Sequence, residues 1–150
     1  MTRTPWRKPA WYAGPARRLR FVAELAGTGV PVRVIRPPRL YRGGFAVRCT
    51  VIPPGVDPRQ VTIVFSPGSP EVPRVFVDGP TDSPHRYDGG ELCMWWPYDG
   101  PDRRWLRRDG AASLLGHVVA HLVQEEWWRR TGEWVGDEAP HPALHAQENM

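Results

Sequence analysis

Apolar residues recur along the chain first at helical spacing, then in four short alternating runs, then at helical spacing again. Leu19, Val22 and Ala26 fall on one side of a first helix with Phe21 and Leu25 beside them, which leaves Arg17, Arg18 and Arg20 outside. Pro15 suits the first turn of this helix and Gly27 its exit. Val30, Val32 and Val34 then alternate with Pro31 and Arg33, and the early proline predicts an edge strand. Three further strands are predicted over Gly44 to Ile52, Val61 to Phe65 and Arg74 to Val77, each closed by a Pro- or Gly-containing turn. Connections this short favour antiparallel neighbours, so the expectation is a four-strand meander with one face on a helix. A long second helix follows, capped by Asp109 and running to Arg130, with Leu115, Val118, Val119 and Leu122 as its inward stripe and Gly132 as its exit. The fold class is α+β.

The two cysteines sit in opposite settings. Cys49 shares the alternating face of Phe45, Val47 and Val51, the position of a small core residue. Cys93 follows Gly89 and Gly90 in Ser83-Pro84-His85-Arg86-Tyr87-Asp88-Gly89-Gly90-Glu91-Leu92-Cys93-Met94, a stretch too rich in Pro, Asp and Gly to continue a strand. A thiol held on an irregular segment after a sheet is a candidate nucleophile, here one expected to be offered to solvent by a glycine-hinged ribbon. Arg86 and His85 are the neighbours available to lower its pKa.

Composition narrows the setting. The length suits one domain with a real core, and 15 glycines and 18 prolines make it loop-rich without reaching the composition of a disordered chain. The net charge of +4 comes almost wholly from arginine spread along the chain, without a basic helix or nucleic-acid motif, which favours a basic docking surface for a protein over nucleic acid. Lys8 is the single lysine, so a chain that handled acyl groups destined for lysine would offer almost no internal acceptor; a GC-rich genome accounts for the arginine equally well. No apolar run is long enough for a signal peptide or a membrane span, and two unevenly placed cysteines make no disulfide framework, so a reducing cytoplasm is expected.

The order of elements and three local motifs resemble the ubiquitin-conjugating enzyme fold. Pro73-Arg74-Val75-Phe76-Val77 is similar to the family's Pro-x-Val-x-Phe strand, Ser83-Pro84-His85 falls where its His-Pro-Asn lies, and Gly90-Glu91-Leu92-Cys93-Met94 looks like its Gly-x-Ile-Cys-Leu. Ser83 and His85 depart from the pattern, so the family's amide is missing; His85 is then either an oxyanion donor or, as favoured here, a loop strut. Trp105 roughly matches the family's post-cysteine tryptophan. The segment from Glu125 through Trp127, Thr131, Gly132 and Trp134 to His141 resembles the Trp-x-x-x-Thr-Gly-x-Trp ending of bacterial conjugating-enzyme-like proteins found in cyclic-oligonucleotide anti-phage (CBASS) operons. The resemblance covers roughly residues 16–141, and it divides the chain into an arm (1–14), a conjugating-enzyme-like domain (15–141) and a tail (142–150).

The resemblance implies trans-thioesterification, with Cys93 and His85 as the catalytic residues. Cys93 would take an acyl group from the C-terminus of a partner, a cGAS-like nucleotidyltransferase or a ubiquitin-like protein, and release it to an amine, with a separate activating enzyme as a further partner. No cofactor is implied. Two other classes remain: a non-catalytic module that keeps only the fold, and a thiol hydrolase that would draw on His85 with Asp88 or Glu91. His117 and His121 share one helix face, but with no third ligand and no Glu at position 118 they read as amphipathic residues rather than zinc ligands. Trp95, Trp96, Trp127, Trp128 and Trp134 read either as an exposed recognition surface for a partner or, as favoured here, as a buried seam between the cysteine segment and the last helix.

Overall fold

In the computed structural model the structure describes residues 8–96 and 98–136. The elements in chain order are α1 (Pro15–Ala26), β1 (Val32–Ile35), β2 (Phe45–Val51), β3 (Arg59–Ser66), β4 (Ser69–Val77) and α2 (Ala111–Thr131), with short 3₁₀ turns between them. The four strands form one antiparallel sheet in sequential order, so β1, with its preceding Pro31, lies at an edge as expected. β3 and β4 are longer than the alternation alone suggests. They meet in a tight hairpin at Pro67-Gly68, and β4 accommodates Pro70 and Pro73 because it is the other edge.

Register puts one apolar row over another. Val47 pairs with Ile63 and Ile63 with Val75, while Cys49, Val61 and Val77 form the next row, and all six side chains are buried. Period-two alternation sends these residues to one face, and α1 and α2 pack there on each other and on the sheet. Gly44 immediately precedes β2, where a Cβ would overlap the Phe65 carbonyl. Trp11, Phe21, Phe45 and Phe65 form an aromatic cluster at one end, with the Trp11 and Phe65 ring centroids 4.9 Å apart, and the Trp11 indole N–H donates to the Pro70 carbonyl.

Three expectations change. The buried side of α1 is Phe21 and Leu25, while Leu19 is 69% exposed and Ala26 also faces solvent. Trp11 and Tyr12, in the stretch read as an arm, belong to the core. Asp109 does not cap α2: its carboxylate accepts from the Leu106 N–H at 2.8 Å, and Glu24 of α1 reaches across to accept from the Ala111 N–H at 2.8 Å. A carboxylate at this end of a helix meets unsatisfied N–H groups and the positive end of the helix dipole, so Glu24 fastens α1 to α2. The first seven residues of the arm, the tail, and the motif beyond Gly136 lie outside the described residues.

Candidate functional site

The cysteine segment is a small antiparallel ribbon laid beside β4. The Cys93 N–H donates to the His85 carbonyl at 3.0 Å, the Tyr87 N–H to Glu91 at 2.9 Å, and the Leu92 N–H to Val75 of β4 at 2.9 Å. The chain reverses at Tyr87-Asp88-Gly89-Gly90, closed by the Gly90 N–H on the Tyr87 carbonyl, and Gly90 supplies the φ of +86° that a side chain would resist. The glycine pair therefore sets the ribbon's turn, as the sequence predicts. At its start, Ser83 Oγ accepts from the His85 N–H at 3.1 Å.

One guanidinium holds the ribbon to the rest of the molecule. Arg86 Nε and Nη2 donate to the two oxygens of Glu125 on α2, at 2.7 and 2.8 Å, while its Nη1 donates to the Gly90 carbonyl at 2.9 Å. Both partners are buried, so this fork is far less screened than a surface pair. His121, one turn back on α2, lies 3.7 Å from the same carboxylate and is itself buried, which holds its pKa down to about 4. His85 is 2% exposed, and its ring centroid is 4.2 Å from that of Trp134.

Trp134 arrives there because Gly132 ends α2 in the left-handed conformation and the chain folds back along the helix. The Glu133 N–H donates to Thr131 Oγ1, and the Gln124 side chain donates to the Val135 carbonyl. The Thr-Gly-x-Trp motif is thus a reversal that stacks one tryptophan against His85 and His121. The broader expectation of a buried tryptophan seam is corrected, since Trp127 is 48% exposed and Trp95, Trp96, Trp128 and Trp134 are only partly covered. Trp105 is buried.

Cys93 differs from the sequence expectation. The residue is 3% exposed, so the sulfur is not offered to solvent. Burial pushes its pKa up, the Tyr87 hydroxyl hydrogen-bonded to it pulls back down, and the nearby Glu91 carboxylate pushes up again. Arg86 is committed to Glu125, and the group that favours the Cys93 thiolate is Tyr87, which no local pattern singles out. Cys49, in the core, has only burial acting on it and is pushed up to about 11. Glu91 is raised by burial, offset by Arg74, whose Nη1 donates to it at 3.3 Å.

A cleft of about 470 Å³ opens beside the ribbon. Its apolar lining includes Pro73, Tyr87, Leu92, Met94, Trp95 and Leu106, and Arg104, Arg107 and Arg108 line it as well, with Glu71 and Glu91. Cys93 does not line it, although both of its chain neighbours do. His117 and His121 diverge: the first is exposed beside Trp95 and the second is buried. Among the described residues no group of three His, Cys, Asp or Glu side chains is placed to hold a metal ion, and no helix is long and apolar enough to cross a membrane.

The profile of the Type II CBASS E2 protein family matches residues 38–142, from the turn before β2 past the end of α2. The chain belongs to this family. Among curated proteins and among solved structures nothing matches. Membership gives the chain an E2-like role in CBASS defence with a protein partner from the CBASS operon, and it places Cys93, the ribbon and the cleft within the matched span.

Proposed function

We propose that this Type II CBASS E2 protein carries an acyl group as a thioester on Cys93. The donor would be the C-terminus of a protein encoded in the same operon, in the first instance its cGAS-like nucleotidyltransferase, in the bacterial cytoplasm. A free carboxylate does not exchange with a thiol, so the donor arrives already activated, as an adenylate or a thioester on an activating protein. The Cys93 thiolate attacks that carbonyl and expels AMP or the activator's thiolate. An amine then attacks the Cys93 thioester, the C–S bond breaks, the sulfur leaves as thiolate, and the amine's proton passes to solvent or a base. A thioester suits this role because it keeps the carbonyl open to attack by the amine.

The observation that carries the reading is the place of the Cys93 thiol beside the Tyr87 hydroxyl, which favours the thiolate, in a ribbon fixed by the Arg86–Glu125 fork. Cys49 has no such donor acting on its thiol. His85, buried against Trp134 with its backbone engaged at both N–H and carbonyl, serves as a strut of the ribbon rather than an oxyanion donor.

Burial of the sulfur favours a second reading, a conjugating-enzyme-like binding module without chemistry. The two separate on one substitution. With the operon's nucleotidyltransferase, activating protein and ATP, wild type should form a reductant-sensitive adduct and Cys93→Ser a reductant-resistant ester. Equal, reductant-insensitive association of wild type and Cys93→Ser would establish the binding module.

A further inference from the structure

A nucleophile must be reached by a carbonyl carbon, and Cys93 is 3% exposed. Either the ribbon opens or something lying on the sulfur moves. The ribbon is poorly suited to opening. Its two legs are bonded to each other at Cys93–His85 and Tyr87–Glu91, one leg is bonded to β4 at Leu92–Val75, and Arg86 ties it to α2. Arg86 also donates to the carbonyls of Pro80 and Gly90, at the beginning of the segment and at its turn. Lifting the ribbon would strip a buried carboxylate, Glu125, of its guanidinium.

Tyr87 is built differently. Its backbone is fixed by the turn, but its side chain, beside the Cys93 thiol, takes part in none of the bonds that hold the ribbon. The residue is only half-buried and lines the 470 Å³ cleft, together with Leu92 and Met94 on either side of Cys93. The thiol that does not line the cleft is thus joined to it through a side chain that does. A change of χ1 at Tyr87 leaves the ribbon's backbone hydrogen bonds in place.

We propose that Tyr87 is a gating and positioning residue: its ring closes the route from the cleft to the Cys93 sulfur, and its rotation, with the ribbon held still, admits the acyl donor. In the closed state the hydroxyl holds the sulfur in place. In the open state Cys93 meets the cleft wall formed by Pro73, Met94 and Leu106. This rests on Cys93 being the nucleophile, but its test does not use acyl transfer.

The test is the rate at which iodoacetamide alkylates Cys93 in the full chain, read at the Cys93 peptide by mass spectrometry so that Cys49 is scored separately. A cover that leaves its site open a few per cent of the time or less slows a reagent by that fraction, so Tyr87→Ala should accelerate alkylation roughly tenfold or more. Tyr87→Phe keeps the cover and loses the donor; it should alkylate at no more than the wild-type rate near neutral pH, with its pH profile displaced upward. In wild type, low urea below the unfolding transition should leave the rate unchanged, because rotating one side chain exposes little new surface, whereas lifting the ribbon would make the rate climb with urea. An unchanged rate in a folded Tyr87→Ala protein, or a urea-dependent wild-type rate, overturns the gate. Fast alkylation of Tyr87→Ala with no acyl adduct on Cys93 would leave the gate standing and remove the transferase.

Discussion

Arg86 on the cysteine ribbon and Glu125 on α2 meet in a two-pronged ion pair, at 2.7 and 2.8 Å, with their side chains 4% and 0% exposed. Such a pair recovers in attraction about what it loses in hydration, so its net contribution to stability is small, yet removing one partner strands a buried charge. Glu125→Ala should therefore cost about 3–5 kcal/mol. Arg86→Met with Glu125→Leu should restore much of that loss. Urea unfolding of the single and double variants measures both, and additive losses would show that the two residues act separately.

His121 gives stability a specific dependence on pH. Its folded pKa, about 4, lies below the 6.5 of an unperturbed imidazole because burial disfavours the charged ring. Between those values the unfolded chain binds the proton and the folded one does not, so stability falls as pH drops from about 6.5 toward 4 and this contribution is flat above. The loss reaches about 3 kcal/mol at its lower end. His121→Gln should flatten this part of the curve, seen as a smaller difference in urea midpoint between pH 7 and pH 4.5 than in wild type. An unchanged difference would mean that other groups carry it.

Glu24 is the only carboxylate whose hydrogen bond to the α2 terminus is seen among the described residues. Glu24→Ala should cost about 1–2 kcal/mol by loss of the cap. Glu24→Gln should cost less, because the amide oxygen can still accept while the charge is gone. Asp109→Ala should leave α2 untouched and loosen only the Arg107–Asp109 turn. Thermal melts followed by circular dichroism separate the three.

These cases show why parts of the molecule were legible and others were not. The meander follows from alternation at Val47-Cys49-Val51 and Val61-Ile63-Phe65, because a half-buried strand has only two faces and one must be apolar. The face of α1 was misread because Leu19 and Phe21, two positions apart, point to nearly opposite sides of the helix, and the contact of Phe21 with Trp11 puts the Phe21 side inward. Glu125 is buried through its pairing with Arg86, 39 positions away, which no local pattern shows. Position and burial also parted company at Cys93. The glycine turn located the cysteine correctly, but no local pattern announces that Cys93 is buried or that Tyr87, on the opposite leg of the ribbon, acts on its thiol.

Cys49 should be chemically silent and structurally costly. With its pKa pushed up to about 11, only about one molecule in ten thousand carries the thiolate at pH 7. Cys49→Ala leaves a small void between Val32 and Val61 and should cost about 1 kcal/mol, without changing adduct formation. Loss of adduct in a folded Cys49→Ala protein would point to the wrong thiol.

The most direct test of the central claim is to locate the acyl group. Wild-type protein, incubated with the operon's nucleotidyltransferase, activating protein and ATP, is quenched in acid without reductant, and its peptides are mapped. The account predicts a hydroxylamine-labile mass on the peptide that contains Cys93, present in Cys49→Ala and gone in Cys93→Ala. A labile adduct at any other residue, or none under conditions where the activating protein is itself charged, would contradict it.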